Sequence, residues 1–371
     1  MSKKIFISCG DVSGDMHASC LCKQLKNDSK DIEITGIGGE NLNNTDINFL
    51  SNTIKAEGFG FNSLIKKYLF FKKLLKKRII PFFHKNKPDL VILVDFYGFN
   101  IHIAKHAKQF GIPVIYYISP QVWASRKNRI KKLEKYVDQM LLFFPFEKQV
   151  YAASKLLTTF IGHPSLDILE TDSKQKLKKD NRYYIGLLPG SRKQEITRLL
   201  PIMLDVFKNI GLDKITLYVF ISSEKDKRKI KRILKNYPFS NVVRIANGKD
   251  YELRKLMDFC LVSSGTVTIE TMIFETPMIV LYKLPLISYL IAKMIIKVNY
   301  IAMPNILADS EIIPEFVQNI NIEKVRNSVN KWLLADTDFQ KVKSDLLKVK
   351  NLLGSKGALK RASSIILKFL K

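Results

Sequence analysis

Two short stretches carry residue types suited to gripping a phosphorylated ligand. They are Leu187-Leu188-Pro189-Gly190-Ser191-Arg192 and Ser263-Ser264-Gly265-Thr266-Val267-Thr268-Ile269-Glu270. Each follows an apolar run that reads as a buried strand, at 184–188 and 259–262, and each turns through small residues into a helical pattern. A strand, a Gly/Ser turn and a helix start gather free backbone N–H groups and the positive helix end at one point, which suits a phosphate. Arg192 adds a fixed cation, and Glu270, one turn inside its helix, is placed to accept from ribose hydroxyls. Either turn alone reads equally well as an ordinary capped βα connection. The pair points to a nucleotide diphosphate, with Gly190, Ser191, Arg192, Ser264, Gly265, Thr266 and Glu270 as its contacts.

The first half of the chain supplies carboxylates at comparable positions. Gly10-Asp11-Val12-Ser13-Gly14-Asp15 follows a first apolar run, Asp95 follows Leu93-Val94, and Ser119-Pro120-Gln121-Val122-Trp123 follows another. A carboxylate at a strand end is the residue type that takes a proton from an attacking hydroxyl. Asp95 is the candidate base; its structural alternative is a helix cap before Phe99-Asn100. Asp15 either caps the first helix or orients substrate, with Ser13 and Gly14 beside it. His17 and His163 lie near motifs but receive no catalytic role. Asp336-Thr337-Asp338 has the spacing of a metal motif but falls between helical patterns far from the others, so it reads as a helix cap; neither metal nor cofactor is expected.

These motifs need a frame that ends many strands at one edge. Strands are expected at 4–8, 32–36, 90–94, 114–118 and 139–143, then at 184–188, 216–221, 242–246, 259–262 and 278–281, with helical patterns between them. That alternation predicts an α/β fold of two doubly wound, Rossmann-like parallel sheets facing each other, with ligands in an interdomain cleft at the carboxyl ends of the strands. The polar stretch 170–176 marks the boundary, giving domains at 1–170 and 171–345. Residues beyond about 322 are helical, rich in Lys and Leu.

Length and composition agree with two such cores. The chain has 371 residues, 46% of them hydrophobic and 26% charged, which excludes a mainly disordered protein. Sixty-one Lys+Arg against 34 Asp+Glu give a net charge of +27, which calls for a polyanionic partner. Nucleic acid is one such partner, but no zinc, helix-turn-helix or RNA-recognition signature is present. Four scattered cysteines fit reduced core thiols in the cytoplasm. The start reads as a strand rather than a signal peptide, and no apolar run reaches the ~18 residues that span a bilayer. Membrane contact is therefore expected to be peripheral.

Residues 64–83 supply a basis for that contact. On a helix, Leu64, Tyr68, Phe71, Leu75 and Ile79 share a stripe, with lysines and Arg78 around it and no acid among them. Phe70 and Leu74 are apolar residues outside the stripe. A helix resting on an anionic headgroup layer explains both sets, so Leu64, Tyr68, Phe70, Phe71, Leu74 and Leu75 are expected to touch the membrane. The competing reading is a helix packed on the sheet with a solvated basic face.

In their order along the chain these motifs resemble the lipid-A-disaccharide synthase family. The resemblance rests on Gly10 to Asp15, Asp95 with Phe99-Asn100, Ser119-Pro120-Gln121-Val122-Trp123-Ala124 and Phe144-Pro145-Phe146-Glu147. It continues through Ile161-Gly162-His163-Pro164, Leu188 to Arg192, Ser264-Gly265-Thr266 with Glu270, and Pro304-Asn305-Ile306-Leu307. It implies a GT-B architecture and an inverting, metal-independent glycosyl transfer. The implied donor is UDP-2,3-diacylglucosamine, the acceptor 2,3-diacylglucosamine 1-phosphate, and the products a β-1,6-linked disaccharide 1-phosphate and UDP. It further implies that Asn305 completes the nucleotide pocket, that residues 346–371 return to the first domain, and that the enzyme works on the cytoplasmic face of the inner membrane. The oligomeric state is left open. Asp11, Gly98 and Ser125 depart from the family's Glu, Asp and Trp. Another UDP-sugar enzyme of the same fold, a peptidoglycan-type transferase or an epimerase, is the alternative.

Overall fold

The computed structural model describes residues 2–54, 61–124, 128–169, 180–295, 298–334 and 337–370, with the backbone alone at 61–64, 287–288, 291–292 and 295. Ser125, Asp336, the polar stretch 170–176 and the Leu64 side chain thus lie outside the described residues. The chain forms two compact units, one of Met1–Asp167 with Leu353–Lys371 and one of Ile168–Leu352.

In the first unit the strands are β1 (Lys3–Ser8), β2 (Ile32–Gly38), β3 (Asn48–Asn52), β4 (Leu90–Val94), β5 (Val114–Tyr117), β6 (Gln139–Leu142) and β7 (Leu157–Phe160). All pair in parallel, in the order β3-β2-β1-β4-β5-β6-β7. The second unit holds β8 (Tyr183–Leu188), β9 (Ile215–Ile221), β10 (Val243–Asn247), β11 (Phe259–Ser263), β12 (Met278–Tyr282) and β13 (Glu315–Val317). Their order is β10-β9-β8-β11-β12-β13, again all parallel. Both sheets are doubly wound, and in each the order reverses once, between β1 and β4 and between β8 and β11. A crevice at that reversal is where open α/β sheets bind ligands.

Central strands such as β4 and β9 are buried along their whole length, which is why they read as continuous apolar runs. The strands that sequence patterning missed, β3, β7 and β13, are all sheet edges. Their segments Asn-Phe-Leu-Ser-Asn, Leu-Thr-Thr-Phe and Glu-Phe-Val are short and half exposed, so no apolar run announces them.

The C-terminal helix Ala358–Phe369 packs on the helix Val12–Asp28. Asp167 caps it, accepting from the amides of Gly357 and Leu359. Arg361 Nε donates to the Ile161 carbonyl at 2.8 Å, and Lys360 pairs with Asp28 at 2.8 Å.

The basic segment folds as a helix over Phe61–Leu74, one π-helical turn over Leu75–Ile79 and a further helix over Ile80–Asn86. Phe71, Leu74 and Ile79 are buried in the core of the first unit, and Phe70 and Leu75 pack half-buried against it. Phe71 meets Phe99 with ring centroids 4.6 Å apart. The expected membrane stripe is therefore corrected: Phe71 and Leu74 are committed to the core of the first unit, Phe71 packing against the rings of Phe96 and Phe99. What remains exposed is Ile65, Tyr68 and Leu69 in the first turns. Phe71→Ala should cost about 3–5 kcal/mol of stability, whereas Tyr68→Ser should stay within about 0.5 kcal/mol; chemical denaturation of the two variants checks the assignment.

Candidate active site

In the first unit the motifs after β1 and β4 flank the reversal of strand order. Asp11 is the N-cap of the helix Val12–Asp28, and its carboxylate accepts from Gly14 N at 2.6 Å. Gly10 has no room for a side chain, since a Cβ there would lie 2.1 Å from the Phe96 ring. Asp15 is buried and accepts from Gly39 N at 2.7 Å, Asn41 N at 2.9 Å, Asn41 Nδ2 at 3.0 Å and Leu42 N at 3.1 Å. Both its oxygens are thus engaged at the start of the next short helix, Glu40–Asn43. Of the two roles expected for Asp15, the capping one takes a different form: it caps that helix rather than its own. Ser13 and Gly14 sit in the first turn of the helix, as their place after Asp11 requires.

Asp95 stands just past β4 with φ +43°, and Phe96 follows with φ +46°. Two non-glycine residues in the left-handed region are unfavourable without support. The support is a network around buried Asn100, which lies on the helix Tyr97–Gln109. Its Nδ2 donates to the Asp95 carbonyl at 2.9 Å and the Val94 carbonyl at 3.1 Å, while its Oδ1 accepts from Ser8 Oγ at 2.7 Å. The Tyr116 hydroxyl donates to the same Asp95 carbonyl. The Asp95 backbone is held by partners on β5 and the following helix, and Asn100 on that helix is tied in turn to Ser8 of β1. Its carboxyl is pushed up to about 7, by burial first and by the negative charge of Asp11 second. A carboxylate poised near neutrality suits a general base.

Motifs after β5 and β6 assemble alongside. Ser119 Oγ lies 2.8 Å from the Tyr151 hydroxyl, and buried Glu147 accepts from the amides of Phe143 at 3.2 Å and Phe144 at 3.1 Å. Burial pushes Glu147 up to about 7 as well, against these amides and the Ser119 hydroxyl. Trp123 packs edge-on against Phe146 at 5.2 Å. His17 and His163 are buried 5.8 Å apart, each driven by burial below the usual histidine range, and His163 Nδ1 accepts from Ser165 N. Neutral packed rings fit a structural role. Nothing in the sequence spacing marks Glu147 and Tyr151 as partners of Ser119; only the fold brings them together.

In the second unit the two phosphate-type turns flank the reversal between β8 and β11. Gly190 has φ +109°, and a Cβ on it would lie 2.3 Å from Glu195 Oε2. Arg192 is the N-cap of the helix Lys193–Val206, and Glu195 grips it twice, accepting from its backbone N at 3.1 Å and its Nη1 at 2.8 Å. The cation is held at the turn by a partner that sequence reading missed, although a Glu three residues past an N-cap is a recognisable capping pattern. Gly265 has φ +151° and open space where its side chain would stand, while Thr266 begins the helix Thr266–Ile273. Among the described residues, no three His, Cys, Asp or Glu groups form a cluster able to hold a metal ion.

Glu270 is anchored by Arg254, whose Nη1 donates to Glu270 Oε2 at 2.6 Å. Arg254 is itself buried, beside the rings of Tyr251 and Phe274. Asn305 is buried and hydrogen-bonded on both ends of its amide. Its Nδ2 donates to the Ile313 carbonyl at 2.9 Å and Glu315 Oε1 at 2.8 Å, and its Oδ1 accepts from Ile312 N and Ile313 N. The network continues along the loop: Glu315 accepts from Ile301 N and Ala302 N, and the Ile301 carbonyl accepts from Ser264 Oγ at 2.9 Å.

Comparison with known proteins gives these turns a context. A family model described as lipid-A-disaccharide synthetase matches residues 5–369. Lipid-A-disaccharide synthase of Sulfurihydrogenibium sp. is 34% identical, over 98% of this chain and 97% of that protein. The enzyme of that name from Persephonella marina is 35% identical, over 98% of each. Among solved structures, S. aureus MnaA in a co-structure with UDP superposes with TM-score 0.68 at 14% identity, covering 99% of this chain and 97% of that one. The glycotransferase of kitacinnamycin gives TM-score 0.65 at 14% identity, covering all of both chains. These likenesses confirm the fold.

The titration of Asp95 tests the site's electrostatics. Carbon-detected NMR should place its carboxyl midpoint near 7. In Asp11→Asn, which retains an N-cap, loss of the neighbouring charge should lower the midpoint while burial keeps it above the usual carboxylate range. A wild-type midpoint inside that usual range would contradict the assignment.

Proposed function

The chain belongs to the lipid-A-disaccharide synthetase family, whose members are glycosyltransferases, and on that premise we propose that it joins two acylated glucosamines. The donor is UDP-2,3-diacylglucosamine and the acceptor 2,3-diacylglucosamine 1-phosphate. The observation that carries this reading is the pairing of a neutral-pKa carboxyl at one strand-order reversal with two phosphate-type turns at the other.

The second unit binds the donor. The helix starts after Ser191 and at Ser264-Gly265-Thr266 present backbone N–H groups to the diphosphate, Arg192 adds its guanidinium, and Glu270, held in place by Arg254, accepts from the ribose. Asn305 and Glu315 hold the loop that fixes Ser264. The first unit binds the acceptor, and Asp95 takes the proton from its 6-hydroxyl. As that oxygen bonds to the anomeric carbon, the bond from this carbon to the diphosphate oxygen breaks and UDP leaves with the electron pair. Attack opposite the leaving group inverts the centre and gives the β-1,6 linkage. Charge on the departing UDP is met by Arg192 and the helix ends, so no metal is required. The exposed Ile65, Tyr68 and Leu69, with the lysines around them, rest on the anionic cytoplasmic face of the inner membrane, where acylated substrates are found.

Incubation with both substrates should release UDP, and omission of either should stop it. Conversion of the donor to its C2 epimer without acceptor would favour an epimerase, the activity named in several solved structures of this fold. Asp95→Asn keeps the shape but deletes the base, so turnover should fall roughly 10²–10⁴-fold with UDP affinity nearly unchanged. Arg192→Ala should weaken UDP binding and slow turnover together. Turnover within a few-fold of wild type in Asp95→Asn would overturn the base assignment.

A further inference from the structure

The helix Leu286–Ile295, which follows β12 in the second unit, presents Leu286, Leu290 and Met294 to solvent at 66%, 52% and 77% exposure. Residues four apart share one stripe of a helix. Isolated exposed apolar side chains are ordinary on protein surfaces, but a contiguous stripe is not. Only the segment of Ile65, Tyr68 and Leu69 shows the same feature; among the described residues, no other helix or strand exposes more than one large apolar side chain. The charge around the stripe is one-signed. Exposed Lys283 and Lys293 flank it, and no acid occurs between Glu275 and Asp309. The basic segment of the first unit has the same composition, with no acid between Glu57 and Asp89. A partner protein would be expected to offer carboxylates at fixed points, whereas apolar residues among exposed lysines match a layer that is apolar inside and anionic at its surface.

We propose that the helix Leu286–Ile295 is a second membrane-contacting element, by which the nucleotide-binding unit itself seats on an anionic lipid surface. This rests on the reading that the substrates are acylated and drawn from a membrane. Leu286, Leu290 and Met294 enter the acyl boundary, and Lys283 and Lys293 meet lipid phosphates.

The test uses the full chain and vesicles of phosphatidylcholine with or without phosphatidylglycerol. Combined Leu286→Ser, Leu290→Ser and Met294→Ser should reduce partition onto the anionic vesicles by about tenfold, with circular dichroism and UDP affinity unchanged. Leu290→Trp should shift its emission to the blue on those vesicles. Unchanged partition with unshifted emission would overturn the proposal. So would a triple variant that partitions normally but sediments as a smaller species, because a second copy would then cover the stripe. UDP release from detergent-dispersed substrates reports separately on the catalytic reading: it should persist in the triple variant, and its absence in the wild type would count against that reading and not against lipid contact.

Discussion

The candidate site of the first unit depends on one buried amide. Asn100 joins Ser8 at the end of β1 to the carbonyls of Val94 and Asp95 at the end of β4. These strands are neighbours only because the order reverses between them. The amide satisfies backbone groups that a left-handed turn would otherwise leave unpaired in the interior, where an unmet donor or acceptor costs about 1–3 kcal/mol. The chain at Asp95 and Phe96 can therefore leave its sheet abruptly. The carboxyl stands beside Asp11 in a partly buried position, where burial and that charge together favour the protonated form near neutrality.

The same economy recurs in the second unit. Three of the side chains expected to touch the nucleotide are fixed by neighbours: Arg192 by Glu195, Glu270 by Arg254, and Ser264 by the loop that Asn305 and Glu315 hold. Preorganised partners lower the cost of ordering long side chains when a charged ligand arrives. The Glu195 pairing also means that Arg192 must share its guanidinium when a diphosphate binds. Arg254 brings a cation beside Glu270 in a buried setting, where an unpaired carboxylate would be costly.

What was legible in the sequence follows from physics. Buried central strands announce themselves as apolar runs, so β1, β4, β8 and β11 and the turns after them were located from patterning alone. Edge strands β3, β7 and β13 lack that signal because half their side chains meet water. The residue type and place of Asp15 marked it, and the family resemblance marked Asn305, yet their hydrogen-bond partners required the fold, since those of Asp15 lie up to 27 residues away. Helical periodicity placed residues 64–83 correctly on a helix but could not tell a membrane face from a core face. Apolar content is common to both, and packing against Phe96 and Phe99 is what commits Phe71 to the core.

The proposed glycosyl transfer requires the Asp95 carboxylate to drive the reaction. The direct measurement is the pH dependence of kcat/KM in the wild type and in Asp11→Asn. A base must be deprotonated to act, so activity should fall on the acid side with a midpoint near 7 in the wild type. Removing the Asp11 charge should move that acid limb to lower pH. A rate flat through neutrality, or an acid limb unmoved by Asp11→Asn, would contradict it.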